Sequence, residues 1–137
     1  MIETINIALS GLAAANKQLA ASASNIANLQ TAGSLEESGQ APYIPLRTQQ
    51  TAQTDSEGNG QGVTSTFVPK NDPFVPAYDP DSPFANNEGL IGVPNVDLAE
   101  EAVNLNLAKI QYKANIKTIE AASELSEELF RLFDDKA

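Results

Sequence analysis

Asp55, Glu57, Asn59 and Gly60 have the spacing of the first half of a calcium-binding loop. In such a loop, carboxylate and amide oxygens bind the ion and the glycine permits a sharp turn. The last position of the loop should supply a bidentate glutamate, but here it is Thr66, and the flanking segments are extended in pattern rather than helical. The sequence therefore predicts a plain acidic turn, with no metal site.

The other candidate binding or catalytic motifs each lack a residue or an element that the chemistry requires. The run GNGQG (58–62) resembles a phosphate-cradling loop, but no predicted helix follows it and no lysine is near. The adjacent acids Glu100-Glu101, Glu127-Glu128 and Asp134-Asp135 point to different helix faces or lie at a helix end, so we interpret them as solvated charge. The chain has no Cys and no His, so it lacks the usual zinc ligands and the usual activator of a serine. We predict no enzyme and no cofactor.

The charge balance excludes further classes of function. The 137 residues carry a net charge of -10, without a basic patch. Nucleic acids and anionic lipids are therefore poor partners. No apolar run approaches the length of a membrane span, and the first residues lack the pattern of a secretory signal peptide. We expect no direct membrane insertion.

Two apolar stripes, one near each end of the chain, predict long helices over 2–29 and 96–133. Steps of three and four residues mark a helix face that needs a partner helix. The N-terminal stripe consists of Ile2, Ile5, Leu9, Leu12, Asn16, Leu19, Ala23 and Ile26. The C-terminal stripe consists of Leu98, Ala102, Leu105, Lys109, Tyr112, Ile116 and Ile119. We expect the first helix to end near Gly33 in a left-handed cap, and Asn95 or Asp97 to cap the start of the second.

The middle of the chain has little helix signal and contains all eight prolines. Residues 41–53 and 62–69 are extended in pattern, and the turn cluster between them predicts a β-hairpin. For 69–94 we expect an extended, largely ladder-free strap that places Phe74, Tyr78, Phe84 and Leu90 on another surface. The chain thus divides into a helix over 1–33, a middle over 34–95 and a helix over 96–137.

Two motifs lying on these elements resemble the signatures of the flagellar axial proteins. SASNIANLQTAG (22–33) is similar to the N-terminal signature of that family, ASNIANANTxG. VPNVDLAEEAVNLNLAKIQYKAN (93–115) is similar to its C-terminal signature, NVDLxxEMVN followed by YxAN. The short length and the segment YDPDSPFANNEGLIGVPNVD (78–97) most resemble the proximal-rod type among the flagellar basal-body rod proteins. Ala102 stands where the family usually has Met.

The resemblance implies a mainly α-helical fold with a small β region, whose long terminal helices pair as an antiparallel coiled coil. It implies a structural subunit of the basal-body rod that assembles into a helical tube around the export channel and transmits torque. The implied partners are other copies, proximal and distal rod subunits, and export-gate or base proteins. Export would use the flagellar type III apparatus, and the rod would span the periplasm. A soluble helical-hairpin binding module or an export chaperone remains an alternative, and a small acidic enzyme is a third.

The residues that we expect to make assembly or coiled-coil contacts come from the stripes and from the motifs. In the first helix and its motif they are Ile5, Leu9, Leu12, Leu19, Asn25, Ile26 and Asn28. In the second motif and helix they are Asn95, Val96, Asp97, Val103, Asn104, Tyr112, Asn115, Ile116 and Ile119. Among them, we expect the stripe residues to hold the intrachain helix pair.

Overall fold

The computed structural model describes residues 2–36 and 38–134, and its architecture is mainly α-helical with a small β middle. Asp135 of the predicted Asp134-Asp135 pair therefore lies outside the described residues. In chain order the elements are α1 (Ile2–Ala27), β1 (Leu46–Thr54), β2 (Gly60–Pro69), β3 (Phe74–Tyr78), β4 (Leu90–Pro94) and α2 (Leu98–Asp134).

The first helix is rich in alanine, the best helix former, and ends six residues before Gly33. The Asn28 side chain donates a hydrogen bond to the Ser24 carbonyl oxygen (2.9 Å) and closes the helix. The predicted left-handed cap at Gly33 is wrong. Gly33 instead exchanges two backbone hydrogen bonds with Gly92. An added Cβ would lie 2.5 Å from the Gln40 carbonyl oxygen, so glycine is needed there for close backbone approach.

The second helix begins where the sequence predicts. Asp97 is the N-cap, because its Oδ1 accepts hydrogen bonds from the backbone N–H groups of Ala99 (2.8 Å) and Glu100 (3.3 Å). Asn95, the other candidate, instead donates from its side chain to the Asp72 carbonyl oxygen (2.9 Å). Asn95 therefore fastens the chain just before the helix to the segment that leads into β3.

The predicted β-hairpin forms from β1 and β2, which pair antiparallel from Leu46 opposite Pro69 to Thr54 opposite Gly60. The turn is built by Asp55, whose Oδ1 accepts hydrogen bonds from the backbone N–H groups of Glu57 (2.9 Å) and Asn59 (2.8 Å). Gly58, with φ 86°, takes the left-handed conformation that favours glycine.

The proline-rich segment is a second hairpin, so the prediction of a largely ladder-free strap is wrong. β3 and β4 pair antiparallel, with Pro76 opposite Gly92. A two-stranded sheet consists only of edge strands, which tolerate proline because one side of each strand needs no donor. Of the four side chains expected to dock, Tyr78 is 74% exposed and Phe74 is 37% exposed, whereas Phe84 and Leu90 are half-buried.

The two helices pack against each other in opposite directions. Asn25, near the end of α1, is hydrogen-bonded to Glu101 in the first turns of α2. Further along, Gly11 lies against Asn115, and Thr4 lines a groove with Ala121 and Leu125 of α2. These contacts establish an antiparallel helix pair, as predicted. The last turns of α2 continue beyond the level of Thr4.

A separate face of α1 packs on the β1–β2 hairpin. The Ser10 hydroxyl accepts a hydrogen bond from the backbone N–H of Val63 (3.0 Å), and the Lys17 ammonium donates to the Ser65 carbonyl oxygen. The same ammonium lies 6.0 Å from the centroid of the Phe67 ring, within cation–π range. The hairpin is therefore fixed along α1 rather than projecting freely from it.

Candidate assembly site at the helix junction

The helix junction, where α1, α2 and the start of β1 meet, is organised by one asparagine. Asn25 is 1% exposed. Its Nδ2 donates hydrogen bonds to Glu101 Oε1 (2.6 Å) and to the Leu46 carbonyl oxygen (2.7 Å). Its Oδ1 accepts hydrogen bonds from the Leu46 N–H (2.8 Å) and the Tyr43 hydroxyl (3.1 Å). One side chain thus ties three elements together.

At the centre of this junction, the polar side chains of Asn25 and Glu101 are almost fully buried, so their hydrogen-bonding groups need partners within the protein. An amide has two donors and two acceptor lone pairs, and every one of these is used by Asn25. Satisfied networks of this kind specify a unique arrangement, whereas a half-satisfied one is costly. The junction therefore fixes the register of α1 against α2 and against the hairpin.

The partner of Asn25 on α2 is Glu101, and the sequence does not predict its position correctly. Glu101 is 4% exposed, so the prediction of solvated charge is wrong for this residue. Its neighbour Glu100 does face outward, where Lys70 forms an ion pair with it (2.9 Å). Adjacent residues on a helix point in different directions, so one acid of the pair joins the junction and the other fastens the loop after β2.

A cavity of about 220 Å³ lies beside the junction. Charged and polar side chains from both helices and from the hairpin face it, among them Gln18, Arg47, Lys70, Glu101 and Asn104. Asn104, which the second motif contributes, is half-buried there. The sequence motifs of the two ends of the chain thus meet at one place, which neither motif alone indicates.

The face of α1 that meets α2 carries small residues. Ala8, Ala15 and Ser22 are buried on it at steps of seven, and Gly11 lies between them against Asn115. Small side chains let the helix backbones approach closely. The line of contact runs one position earlier than the predicted N-terminal stripe, which rotates that stripe about 100° away from α2.

The larger residues of the predicted N-terminal stripe therefore lie at the edge of the contact between α1 and α2 or outside it. Leu9 is 49% exposed and Leu19 is 44% exposed, so they are not buried in the intrachain pair as we expected. Leu19 instead borders a groove of about 380 Å³ that it shares with Tyr112. The remaining stripe candidates, Ile5, Leu12, Ile116 and Ile119, are half-buried.

The other motif residues have varied positions. Asn28 closes α1, and its Oδ1 also accepts a hydrogen bond from the Thr31 hydroxyl (3.2 Å). Val96 is half-buried between β4 and the N-cap. Ile26 and Val103 are exposed, by 36% and 58%, respectively. The structure brings Asn25 and Asn104 to the junction and leaves Ile26 and Val103 on the surface.

Sequence reasoning missed Tyr43, Leu46 and Glu101 as members of the junction. Tyr43 and Leu46 lie in a segment assigned only as extended, and Leu46 acts through its backbone, which leaves no trace in the side-chain pattern. For Glu101 a signal did exist. It stands four residues before Leu105 and seven before Ala108, in the phase of the face that meets α1.

The acidic turn at Asp55 uses its oxygens locally. Hydrogen bonds from the Asn59 side chain and backbone, with smaller contributions from Glu57 and Gln61, hold the pKa of Asp55 below its ordinary value. Within residues 2–36 and 38–134, no three acidic side chains are grouped for a metal ion. In the same part of the chain, neither helix is apolar enough over a sufficient length to cross a bilayer.

Comparison with known proteins points to one group of relatives. The family model described as the C-terminal region of the flagellar basal body rod FlgEFG proteins matches residues 88–132. The chain is 32% identical over 127 residues to the flagellar basal-body rod protein FlgC of Buchnera aphidicola, covering 91% of this chain and 92% of the relative. The FlgC proteins of Salmonella typhimurium (31% over 129 residues; 91% and 92% covered) and Bacillus subtilis (29% over 134 residues; 86% and 88% covered) are also similar. These matches confirm the resemblance stated from the two motifs.

Proposed function

We propose a function from the premise that this chain belongs to the FlgC family of flagellar basal-body rod proteins. It is a structural subunit of the rod, located in the flagellar basal body. What we add as a proposal is how this fold performs that role. The helix pair forms the wall of a helical tube around the export channel, and the tube transmits torque.

The antiparallel helix pair supports this role through its regularity. Along α2, the side chains directed at α1 recur at alternating steps of four and three residues. Because this is the heptad pattern, we propose that the pair is a coiled coil. These side chains are Glu101, Leu105, Ala108, Tyr112, Asn115, Ile119 and Ala122. A helix pair with a regular contact along its length suits a part that is loaded in torsion. The Asn25–Glu101 junction then locks the register of the two helices.

The exposed apolar surface is the observation that carries the proposal of self-assembly. Beyond the level of Thr4, α2 presents Phe130 (73% exposed), Leu132 (61%) and Phe133 (74%) without an α1 partner in the described chain. On α1, Ile2 and Leu9 are 80% and 49% exposed. Large apolar side chains exposed together near one helix end, as Phe130 and Phe133 are, favour an interaction site over a finished surface. A subunit that repeats by a screw operation covers such surfaces with its neighbours and grows into an open tube.

The partners follow from that geometry and from the family. We propose contacts with further copies of this chain, with proximal and distal rod subunits, and with export-gate or base proteins at the foot of the rod. We also propose export through the flagellar type III apparatus to a site that spans the periplasm. The predicted assembly residues, from Ile5 to Ile119, remain proposals as contacts between subunits.

A single introduced cysteine tests the location directly, since the chain has no cysteine of its own. Ser56 lies exposed in the hairpin turn, and it takes no part in the hydrogen bonds that attach the hairpin to α1. Ser56→Cys should leave motility intact and place a thiol-reactive gold label on the rod of purified basal bodies. Unmodified protein serves as the control for labelling of other proteins. Absence of the label from basal bodies that otherwise contain complete rods would refute the proposal.

A further inference from the structure

The turn between β1 and β2 contains a chemically labile pair of residues. Asn59 is exposed, and it is the only asparagine in the chain that a glycine follows. Asparagine is one of the thermolabile residues, because the nitrogen of the next peptide group can attack its side-chain amide carbon. A following glycine hinders this attack least, since it has no Cβ. A Cβ added to Gly60 would meet no atom within 4 Å, so the space beside this residue is open.

Asp55 restrains Asn59 at three points. The Asn59 Nδ2 donates a hydrogen bond to Asp55 Oδ2 (3.0 Å), and the Asn59 N–H donates one to Asp55 Oδ1 (2.8 Å). The Asn59 carbonyl oxygen accepts a hydrogen bond from the Asp55 N–H (3.0 Å). Attack on the amide carbon requires the Asn59 side chain and the peptide group that follows it to turn towards each other. Asp55 opposes this movement, because it holds both the amide group that must leave and the backbone that must turn.

We propose that Asn59 is a site of spontaneous deamidation and that the Asp55 carboxylate slows the reaction. In the first step, the Gly60 nitrogen forms a bond to Asn59 Cγ and loses its proton, and the Nδ2 group leaves as ammonia. The product is a five-membered succinimide ring. Water then opens the ring at either of its two carbonyl carbons, which leaves aspartate or isoaspartate at position 59. Water is the only co-reactant, and no electrons are exchanged.

The product reverses the interaction that builds the turn. The Nδ2 donor is replaced by a carboxylate oxygen, which at neutral pH only accepts hydrogen bonds. Two carboxylates then face each other where Asn59 and Asp55 shared a hydrogen bond of 3.0 Å, and like charges at such a separation repel. Isoaspartate also adds a methylene group to the backbone directly before Gly60, where β2 begins. We expect the turn to loosen while the hairpin stays attached to α1 through the hydrogen bond from the Val63 N–H.

Mass spectrometry of the purified full chain tests the site. During incubation at neutral pH, Asn59 should be converted to aspartate and isoaspartate. Asn71 and Asn87 are also exposed, but aspartate and glutamate follow them, so both should convert more slowly than Asn59. In Gly60→Ala, the conversion at Asn59 should slow by about tenfold, because the new Cβ hinders the attack while the turn has room for it. Faster conversion at Asn71 or Asn87 than at Asn59 would overturn the proposal.

Removal of the carboxylate tests the restraint. In Asp55→Ala, the conversion at Asn59 should speed up by about tenfold, the factor that corresponds to the loss of one hydrogen bond to a charged group. Glu57→Ala removes an equal charge from the same turn but keeps the hydrogen bonds between Asp55 and Asn59. It is the matched control and should leave the rate unchanged.

Denaturation separates the effect of the folded turn from an effect of the neighbouring sequence. In urea, where the turn is absent, the wild-type and Asp55→Ala chains should be converted at the same rate. Equal rates of these two chains in buffer, when circular dichroism shows both folded, would overturn the proposal. A difference that persists unchanged in urea would also overturn it. The reaction takes place within one chain, so each of these outcomes leaves the proposed rod function untouched.

Discussion

The Nδ2 of Asn25 in α1 donates a hydrogen bond of 2.6 Å to Oε1 of Glu101 in α2, and both side chains are almost fully buried. These residues are 76 positions apart in the chain and lie in the two motifs that mark its ends. The bond therefore joins the two signatures of the family at one point. It accounts for the one asparagine among the small buried side chains of α1.

Removal of the Asn25 amide should destabilise the fold severely. Asn25→Ala leaves the Glu101 carboxyl group and both backbone groups of Leu46 without their buried partner, and we expect a loss of about 2–4 kcal/mol in the free energy of unfolding. Urea denaturation followed by circular dichroism measures it. Asn16→Ala, on the exposed side of the same helix, is the control and should change stability by less than about 0.5 kcal/mol. Equal stability of the two variants would show that the junction does not hold the register.

Gly33 should tolerate no side chain. In Gly33→Ala the new Cβ would collide with the backbone around Pro42 and with the Gln40 carbonyl oxygen, and backbone cannot rotate away as a side chain can. We expect a loss of about 1–3 kcal/mol, as for other overpacked sites. Gly60→Ala, where the added Cβ meets no atom within 4 Å, is the matched control. If the two variants unfold at the same temperature, the backbone at Gln40 and Pro42 can move away from residue 33, and the close approach is not rigid.

Much of the fold could be predicted from the sequence because its helices and first hairpin depend on local signals. Alanine content, the Asp97 cap and the turn around Gly58 act within a few residues. The second hairpin was missed because prolines argue against a ladder, and nothing local reveals that Pro76 sits opposite Gly92.

The buried face of α1 was missed for a different reason. Periodicity locates apolar stripes by side-chain size, so it selected Leu9 and Leu19, whereas the intrachain contact uses Ala8, Gly11 and Ala15. The predicted stripe and the buried row of α1 are offset by one residue and have the same steps of three and four residues. Only the partner helix decides which row is buried, and the row of larger side chains is left for other surfaces.

A charge introduced beside the intrachain pair should prevent rod assembly. Leu12 and Ile116 are half-buried next to the contact of Gly11 with Asn115. Leu12→Asp or Ile116→Asp would place an unpaired carboxylate there, which is costly to desolvate. We expect non-motile cells without completed rods. Leu12→Met conserves volume and apolarity, so cells with this variant should swim. Swimming of the Asp variants would mean that this contact is dispensable.

The β1–β2 turn should weaken as the pH falls below 3.8. The pKa of Asp55 lies below its ordinary value of 3.8 because Asn59 hydrogen-bonds its carboxylate. Its stabilising effect is therefore fully present above pH 3.8 and is lost as pH falls through the lower, folded-state pKa. NMR titration of the Asn59 amide proton should show a midpoint below 3.8. In Asp55→Asn this transition should disappear, and a midpoint at or above the ordinary value would contradict the hydrogen-bonded turn.

Electron microscopy of basal bodies after deletion of the gene tests the central claim most directly. A structural subunit of the rod is required before anything distal to it can be built. Purified basal bodies from the deletion strain should therefore lack the distal rod, the hook and the filament, and the wild-type gene supplied in trans should restore all three. Complete basal bodies and normal swimming in the deletion strain would contradict the account.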